Sequence, residues 1–372
     1  MTDLTVKIPV ANPDIGEEEL RNVIEAVKSG WISSKGRFIE EFERDFADFI
    51  GVKYGIAVSN GTAALHLALV ALGVGPDDEV IVPDITFASP ASMVKVCGAK
   101  PVLVDVDPNY WCIDPNELQR HITPRTKALI VVHLYGHPAK MNEIMEIAED
   151  HGIYVIEDCA EAHGAEFRGK KVGSFGHVSC FSFYANKIIT TGEGGVCLTN
   201  DAELADKIRM LRDHGMRPEK RYWHEVVGFN YRMTNLQAAV GVAQLHKIER
   251  LICKKREIAR IYAEELEGVR GIILHPEMPW AFCVYWLYSI LVNSKEYGHS
   301  RDELMRYLSK HGVETRRFFY PLHVMPPFKT SRDFPVSTSL SEVGMNLPSG
   351  PKISGEEIKY VCSLIKKFHS ST

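Results

Sequence analysis

Lys187 lies in a stretch whose composition suits a reactive amine. The stretch CFSFYANKIITTGEGGVCLTN places it between an apolar, strand-like segment, Cys180 to Tyr184, and a Thr-Thr-Gly-Glu-Gly-Gly turn before a second strand-like segment. A lysine in apolar surroundings loses solvation of its charged form, which lowers its pKa. Lys187 is therefore a candidate nucleophile, and the alternative reading is a solvated loop lysine.

A second group of residues could hold a phosphate. Ser59-Asn60-Gly61-Thr62 follows a strand-like run and opens a helical one, so free backbone N–H groups and the positive end of the helix dipole would converge there. Gly61 would let an anion approach the backbone. A plain strand-to-helix turn capped by Asn60 or Thr62 explains the same residues.

An acidic pair, Glu157-Asp158, ends the strand-like run IYVIED. Ligands of open α/β sheets bind beyond the carboxyl ends of strands. If the ligand contains a pyridine ring, Asp158 would keep the ring nitrogen protonated, as in pyridoxal phosphate enzymes, and Lys187 could then form a Schiff base with the cofactor. Strand alternation places Ser182 where its hydroxyl could join the phosphate site, although a plain strand serine fits as well.

Composition restricts the class of protein. The chain has 372 residues, 45% of them hydrophobic, and a formal net charge of −5, which favours neither nucleic acid nor an anionic membrane as a partner. The eight cysteines are scattered with no CxxC pair, so we expect reduced, buried thiols and no metal site. The N-terminus lacks a signal-peptide pattern and no apolar run could span a bilayer, so a cytoplasmic location is expected.

The elements that would position these residues follow an α/β pattern. Short β-branched runs alternate with helical runs from about residue 50, which predicts a large domain with a mostly parallel sheet covered by helices. The predicted strands are YGIAVS, DEVIVP, KPVLVDVD, KALIVVHLY, IYVIEDC, VSCFSFY and GGVCLTN.

The pattern changes after Thr234. One long helical run, residues 235–268, leads toward a smaller C-terminal α+β domain, in which CVYWLYSILV reads as a strand and Ser300 as a helix N-cap. We expect a cofactor-binding domain over residues 12–250 and the small domain over residues 251–372.

Seven motifs, in order along nearly the whole chain, resemble those of the DegT/StrS sugar aminotransferases, which are fold-type I pyridoxal phosphate enzymes. The GxGxxG and Walker motifs are absent, so an ordinary nucleotide-binding fold is not supported. The motifs are SNGTAALHLAL, VPDITFAS, VHLYGHP, EDCAEAHGA, FSFYANKIITTGEGG, GFNYRMTNLQAA and FYPLHVMPPF.

The resemblance implies roles for individual residues. Lys187 would carry pyridoxal 5'-phosphate and move the proton, Asp158 would pair with the ring nitrogen, and Phe87 would cover the ring. Gly61, Thr62 and Ser182 would hold the phosphate. Asn230 would join them from the partner subunit, so the active sites would be shared in a homodimer. For Phe87 and Asn230, core packing and a local turn are the simpler explanations.

On the substrate side, the resemblance points to Trp31, Tyr320 and His323, although half-buried packing or a structural histidine explains these residues too. Arg317 is a further substrate-side candidate because of its charge, and a solvated surface residue is the alternative. Many family members carry Gln where Glu161 stands. A charged carboxylate cannot donate a hydrogen bond, so we expect Glu161 either to be protonated or to face the substrate.

Within the family, WISSKGRFIEEFE, Glu161 and RYWHEVVGFNYRMTN are most similar to members that transfer an amino group from glutamate to the C4 ketone of GDP-4-keto-6-deoxy-D-mannose. A UDP- or dTDP-linked ketosugar, or the C3 ketone, remains an alternative. A sugar dehydratase of this family would carry histidine at the position of Lys187. The remaining alternative is a non-catalytic protein that only binds the cofactor. Lys35, Arg37, Arg221 and Arg317 are candidates for binding the nucleotide diphosphate.

Overall fold

A computed structural model describes residues 7–217 and 219–369. Its strands form three sheets. They are β1 (Tyr54–Val58), β2 (Glu79–Pro83), β3 (Lys100–Val104), β4 (Thr126–Val132), β5 (Tyr154–Asp158), β6 (Glu166–Phe167), β7 (Lys170–Lys171), β8 (Val178–Ser182), β9 (Gly195–Thr199), β10 (Ile272–Leu274), β11 (Ala281–Phe282), β12 (Ser289–Val292), β13 (Arg316–Arg317) and β14 (Gly344–Asn346).

The helices cover these sheets. They are α1 (Glu17–Ser29), α2 (Arg37–Ile50), α3 (Gly61–Ala71), α4 (Ser89–Val96), α5 (Pro115–Arg120), α6 (Met141–His151), α7 (Ala202–Arg212), α8 (Asn235–His246), α9 (Ile248–Leu266), α10 (Ser294–Tyr297), α11 (Arg301–Lys310), α12 (Pro335–Val343) and α13 (Gly355–His369). Short 3-10 turns occupy Leu134–Gly136, Leu322–Val324 and Pro326–Phe328. Within the described ranges, every helix is too short or too polar to cross a membrane.

The large sheet has seven strands in the order β1-β9-β8-β5-β4-β2-β3. All neighbouring pairs from β8 to β3 are parallel, whereas β9 runs antiparallel to both β1 and β8. Strand β1 therefore points the same way as β8. Apart from the edge strand β3, these strands are buried along almost their whole length, as their continuous apolar runs predict for a sheet covered by helices. The predicted α/β fold is confirmed, and all seven predicted strands form this sheet.

A second sheet, β10-β12-β14-β13, is entirely antiparallel. Its apolar residues and those of α9, α11 and α13 form a second hydrophobic cluster, separate from the cluster under the large sheet. Ser300 caps α11 through a capping box with Glu303, as predicted. This arrangement has the expected α+β character, and the domain limits at 250 and 251 stay a prediction.

Two predicted elements differ from the structure. The helical run 235–268 is two helices, because Lys247 leaves helical geometry at φ −112° and ψ 10°. In CVYWLYSILV only Ser289–Val292 is a strand. The backbone N–H groups of Val284 and Tyr288 bond instead to the Gly136 carbonyl and the Ser349 hydroxyl. These loop partners hold residues 283–288 in an irregular path.

Candidate active site

The carboxyl ends of the parallel strands meet at one edge of the large sheet, and a cavity of about 650 Å³ opens there. The loops that follow β1, β2, β4, β5 and β8 line it. Residues of the second sheet and of the segment that precedes β12 complete the lining. This is the position at which open α/β sheets bind ligands. Of the residues predicted for a site, the cavity brings together Gly61, Thr62, Phe87, Asp158, Glu161, Ser182, Lys187 and Arg317.

Lys187 reaches this cavity from the turn that follows β8. Its backbone N–H donates to the carbonyl of Tyr184 at 2.9 Å, and its side chain is only 11% exposed. Nζ lies 3.8 Å from the centre of the Trp286 ring. Burial lowers the pKa of Lys187, which increases the fraction of neutral, nucleophilic amine. Lys187 is therefore buried beside an aromatic ring in the cavity, and its role as the nucleophile stays a prediction.

Glu161 is the carboxylate beside this amine. Its Oε1 lies 4.0 Å from Nζ of Lys187, and its Oε2 accepts a 2.8 Å hydrogen bond from the backbone N–H of Tyr135. Tyr135 adopts a left-handed backbone conformation, φ 52°, which is unfavourable for a tyrosine. The packing around its buried side chain stabilises this conformation. Burial raises the pKa of Glu161 to about 7, although the charge of Lys187 opposes the shift. The raised pKa is in the direction of the first predicted alternative, protonation, and the position of Glu161 in the cavity lining fits the second, so both stay predictions.

Asp158 ends β5 at the floor of the cavity. Its side chain is buried, and Oδ1 accepts a 3.1 Å bond from the N–H of Ala160. Burial raises the pKa of this carboxyl, and the charge of Lys187 opposes that shift. A ligand cation or protonated ring nitrogen would supply the partner that a buried carboxylate needs.

Gly61, Thr62 and Ser182 form a small recess at the start of α3, the phosphate cradle. Asn60 caps α3 by accepting from the N–H of Ala63 at 2.8 Å, and a first helical turn leaves the N–H groups of Gly61 and Thr62 without helical partners. The hydroxyl of Thr62 bonds to that of Ser89 at 2.7 Å. A Cβ on Gly61 would lie 2.8 Å from Cβ of Ser182, so only glycine keeps the recess open.

These features fit pyridoxal phosphate. The cradle offers N–H and hydroxyl donors for a phosphate, Asp158 offers an acid for a pyridine nitrogen, and Lys187 offers a buried amine. Phe87 lines the same cavity with 59% of its surface exposed, which leaves its ring available to a ligand. Core packing, the simpler explanation for Phe87, does not fit a side chain that is this exposed.

Four of the residues predicted to bind the cofactor or the sugar do not line this cavity, and neither do the diphosphate-binding candidates Lys35, Arg37 and Arg221. Trp31 lies in a second cavity of about 740 Å³, whose lining also contains Lys35 and Arg37. Asn230 is exposed and accepts a 3.0 Å bond from Arg232. Tyr320 stacks against the guanidinium of Arg317, whereas Nδ1 of His323 lies 2.7 Å from Oδ2 of Asp84. The contacts of His323 are those of a residue that fixes the segment after β13.

The sequence patterns missed several residues that line the cavity. Trp286 lines the cavity and belongs to CVYWLYSILV, which was interpreted as a strand. The aromatic residues of that segment already break the alternation of apolar and polar residues that is typical of a half-buried strand. Arg316 stands beside the predicted Arg317, and both line the cavity. Tyr135 and Thr86 line it as well; they belong to the motifs VHLYGHP and VPDITFAS, but no role was assigned to them. Asn346 also lines the cavity and lies outside every motif.

Comparison with known proteins agrees with this geometry. A family model, the DegT/DnrJ/EryC1/StrS aminotransferase family, matches residues 13–366. The chain is 44% identical to GDP-perosamine synthase of Escherichia coli O157:H7, over 98% of this chain and 99% of the relative. It is 45% identical to GDP-perosamine synthase of Caulobacter vibrioides, with the same coverage.

Solved structures show the same architecture. The aminotransferase TlmJ from Streptoalloteichus hindustanus superposes with a TM-score of 0.93 at 31% identity, covering 98% of this chain and 99% of that one. The chain therefore belongs to the DegT/DnrJ/EryC1/StrS aminotransferase family and is a nucleotide-sugar transaminase.

Proposed function

We propose that this enzyme transfers the amino group of glutamate to the C4 ketone of GDP-4-keto-6-deoxy-D-mannose with pyridoxal 5'-phosphate as cofactor. The product would be GDP-perosamine, a precursor of O-antigen or another surface polysaccharide. The substrate assignment is supported by the two GDP-perosamine synthases that match nearly the full chain. The observation that carries the chemistry is the buried amine of Lys187 between Glu161 and Trp286 in the cavity.

The surroundings of Lys187, Asp158 and Glu161 suggest what each residue does in the transamination. When bound, pyridoxal phosphate supplies an electron-withdrawing ring that holds the amino group between donor and acceptor. Lys187 takes a proton on Nζ from the donor carbon and later returns one to the sugar carbon, and its lowered pKa suits both directions. Asp158 keeps the ring nitrogen protonated. Glu161, when protonated, donates a hydrogen bond from its carboxyl group into the cavity.

We also propose that two chains share their active sites. Asn230 lies outside the cavity of its own chain, on a segment with exposed Tyr222, Trp223 and Val227. Leu20, Ile24 and Val27 form an exposed apolar stripe on α1. Exposed apolar residues of this kind are typical of a subunit interface, and pairing through them would bring Asn230 toward the phosphate cradle of the partner.

The test is a substrate screen with purified protein, glutamate and GDP-, UDP- and dTDP-linked 4-keto-6-deoxy sugars, followed by mass measurement of the amine product. We expect amination of the GDP-mannose-derived ketone. Product only from a UDP- or dTDP-linked ketone would overturn the substrate while leaving the transaminase chemistry intact.

Two lysine variants test the nucleophile. Lys187→Ala should lower turnover on the order of 10³-fold or more, because the proton carrier is lost. Lys171→Ala is the matched control, since Lys171 also lies over an aromatic ring, Phe49, but outside the cavity. Equal activity of the two variants would refute the role of Lys187.

A further inference from the structure

The peptide unit that joins Asn186 to Lys187 is held from two sides. Lys187 lies on a turn between β8 and β9, outside both strands. Its backbone N–H donates to the carbonyl of Tyr184 at 2.9 Å, within the turn. The carbonyl of Asn186, at the other end of the same peptide unit, accepts a 2.7 Å bond from the indole N–H of Trp286. The second bond therefore ties the backbone of the reactive lysine to a residue 99 positions further along the chain.

The same indole also contacts the reactive end of Lys187. Nζ lies 3.8 Å from the centre of the Trp286 ring, and Trp286 is only 4% exposed. The ring of Tyr135 lies nearly parallel to the indole, with 14° between the planes and 6.2 Å between the ring centres. One buried side chain thus touches Lys187 at its backbone and at its nitrogen.

Lys255 fixes the backbone of Trp286. It lies on α9 and is 3% exposed, and its Nζ donates to the carbonyls of Trp286 and Ser349, both at 2.6 Å. Trp286 precedes β12, so strand pairing does not hold its carbonyl. No carboxylate pairs with Lys255 in the described part of the chain, and burial lowers its pKa to about 7. The cost of burying an unpaired amine indicates that holding these two carbonyls has a benefit other than stability.

We propose that Trp286 is a positioning residue for Lys187 and that Lys255 acts through it. The indole holds the backbone and Nζ of Lys187 in the orientation in which the amine meets the cofactor and the donor carbon. This inference rests on the role of Lys187 in the proposed function. Misplacing a reacting group by about 1 Å costs on the order of 10²-fold in rate, so a single hydrogen bond to its backbone has a measurable effect.

Trp280 provides the matched control, because it is a tryptophan that serves packing. Its ring makes edge contacts with the rings of Tyr110 and Phe167, at 5.4 and 5.2 Å between centres. It does not line the cavity that contains Lys187. Trp280→Phe therefore makes the same chemical change as Trp286→Phe at a site without contact to the reactive amine.

The test measures covalent uptake of pyridoxal phosphate by cofactor-free protein. Absorbance is followed at increasing cofactor concentration, and Lys187→Ala gives the background from other lysines. The pH is set above the inflection of the uptake rate, where Lys187 is fully neutral, so that a changed pKa does not alter the result. The rate at saturation then reports how the amine is placed, whereas the half-saturating concentration reports the phosphate cradle.

Trp286→Phe keeps an aromatic ring and loses the bond to Asn186. We expect its rate at saturation to fall on the order of tenfold. The half-saturating concentration should change less than about threefold, because the N–H donors of the cradle are untouched. Trp286→Leu also loses the ring, so its rate should fall on the order of 10²-fold. Trp280→Phe should leave both quantities unchanged.

Lys255→Met tests the second half of the inference. Its rate at saturation should fall about threefold, because the backbone of Trp286 loses one hydrogen bond. In the Trp286→Phe background the same change should have a clearly smaller effect, since the link to Asn186 is already broken. Lys207→Met is the control, because Lys207 also donates to a backbone carbonyl, that of Ala71 at 2.6 Å, away from the cavity.

Unchanged rates at saturation in both Trp286 variants would overturn the inference alone. So would a loss confined to the half-saturating concentration, which a distorted cavity would produce. Trp286→Phe keeps a large apolar side chain and decides the matter if Trp286→Leu does not fold. Additive effects of Lys255→Met and Trp286→Phe would show that Lys255 does not act through the indole. Covalent uptake by Lys187→Ala at the wild-type rate would overturn the nucleophile of the proposed function and this inference with it.

Discussion

Glu161 and Lys187 meet in the cavity with 4.0 Å between Oε1 and Nζ, while Tyr135 donates its backbone N–H to the other carboxylate oxygen. Burial acts in opposite directions on the two groups, raising the pKa of Glu161 and lowering that of Lys187. Both shifts act in the direction of a neutral pair and away from an ion pair. A neutral Glu161 can donate a hydrogen bond and a neutral Lys187 can attack a carbonyl group.

Replacing Glu161 by Gln tests this relationship. When Glu161 is ionised, its charge raises the pKa of Lys187, so its removal should lower the pKa of Lys187 further. The measurement is the rate at which cofactor-free protein takes up pyridoxal phosphate as a function of pH, because only the neutral amine reacts. The inflection should move to lower pH in Glu161→Gln.

Glu79→Gln is a suitable control for that experiment. Glu79 is equally buried but lies at the opposite end of β2, where Arg125 and Thr123 bind it. It should leave the inflection unchanged. An inflection that stays in place or rises in Glu161→Gln would show that the carboxylate does not act on Lys187.

Gly61→Ala should close the phosphate cradle. The added methyl group would lie 2.8 Å from Cβ of Ser182, so the recess must distort or lose volume. We expect the dissociation constant for pyridoxal phosphate to rise on the order of tenfold, since backbone N–H groups would no longer reach the phosphate. Fluorescence titration of cofactor-free protein measures it. Gly75→Ala, where a Cβ would meet nothing within 4 Å, should bind the cofactor normally.

His323 and Asp84 should be coupled in stability. His323 donates its backbone N–H to Oδ1 of the buried Asp84 at 2.8 Å, and its Nδ1 lies 2.7 Å from Oδ2. His323→Ala should lower the free energy of unfolding by about 2 kcal/mol, because the buried carboxyl of Asp84 loses its side-chain partner and keeps the backbone N–H of residue 323. In the Asp84→Asn background the same change should cost clearly less, which a double-mutant cycle measures. Additive effects would contradict this coupling.

Lys255 should give unfolding a characteristic pH dependence. Its buried Nζ donates to the carbonyls of Trp286 and Ser349, both at 2.6 Å, and burial lowers its pKa to about 7. Between this value and the ordinary lysine pKa, the unfolded chain binds more protons than the folded one. This group therefore makes the protein more stable as pH rises through that window, by roughly 1 kcal/mol per pH unit.

The measurement is urea unfolding from pH 7 to 10. The stability difference between wild type and Lys255→Met should grow with pH in favour of the wild type, whatever the cost of the substitution itself at pH 7. Lys254→Met is the control, because Lys254 pairs with Glu257 at 2.9 Å near the surface of the same helix. A pH-independent difference for Lys255→Met would refute the shifted pKa.

Local patterns were enough for the large sheet and the centre of the site. Continuous β-branched runs predicted all seven strands. Parallel pairing brings the ends of β5 and β8 to one edge, and β1 ends at the same edge because the antiparallel β9 lies between β1 and β8. Gly61, Asp158, Ser182 and Lys187 were therefore predictable, because each lies at or just after a strand end.

Residues that reach the cavity from distant elements were not predictable in this way. Trp286, Arg316 and Asn346 lie where the second sheet packs beside the first, and Trp286 belongs to a segment whose backbone bonds prevent strand formation. The bond from His323 to Asp84 likewise joins residues far apart in the chain.

By itself, the sequence determined which elements form and which residues end them, because hydrophobic periodicity, caps and strand ends are properties of neighbouring residues. Only the tertiary structure decided what surrounds Lys187, since burial and electrostatic interactions depend on groups brought together through space. The charges of Glu161 and Arg316 act on one amine because two separate sheets meet at the same cavity.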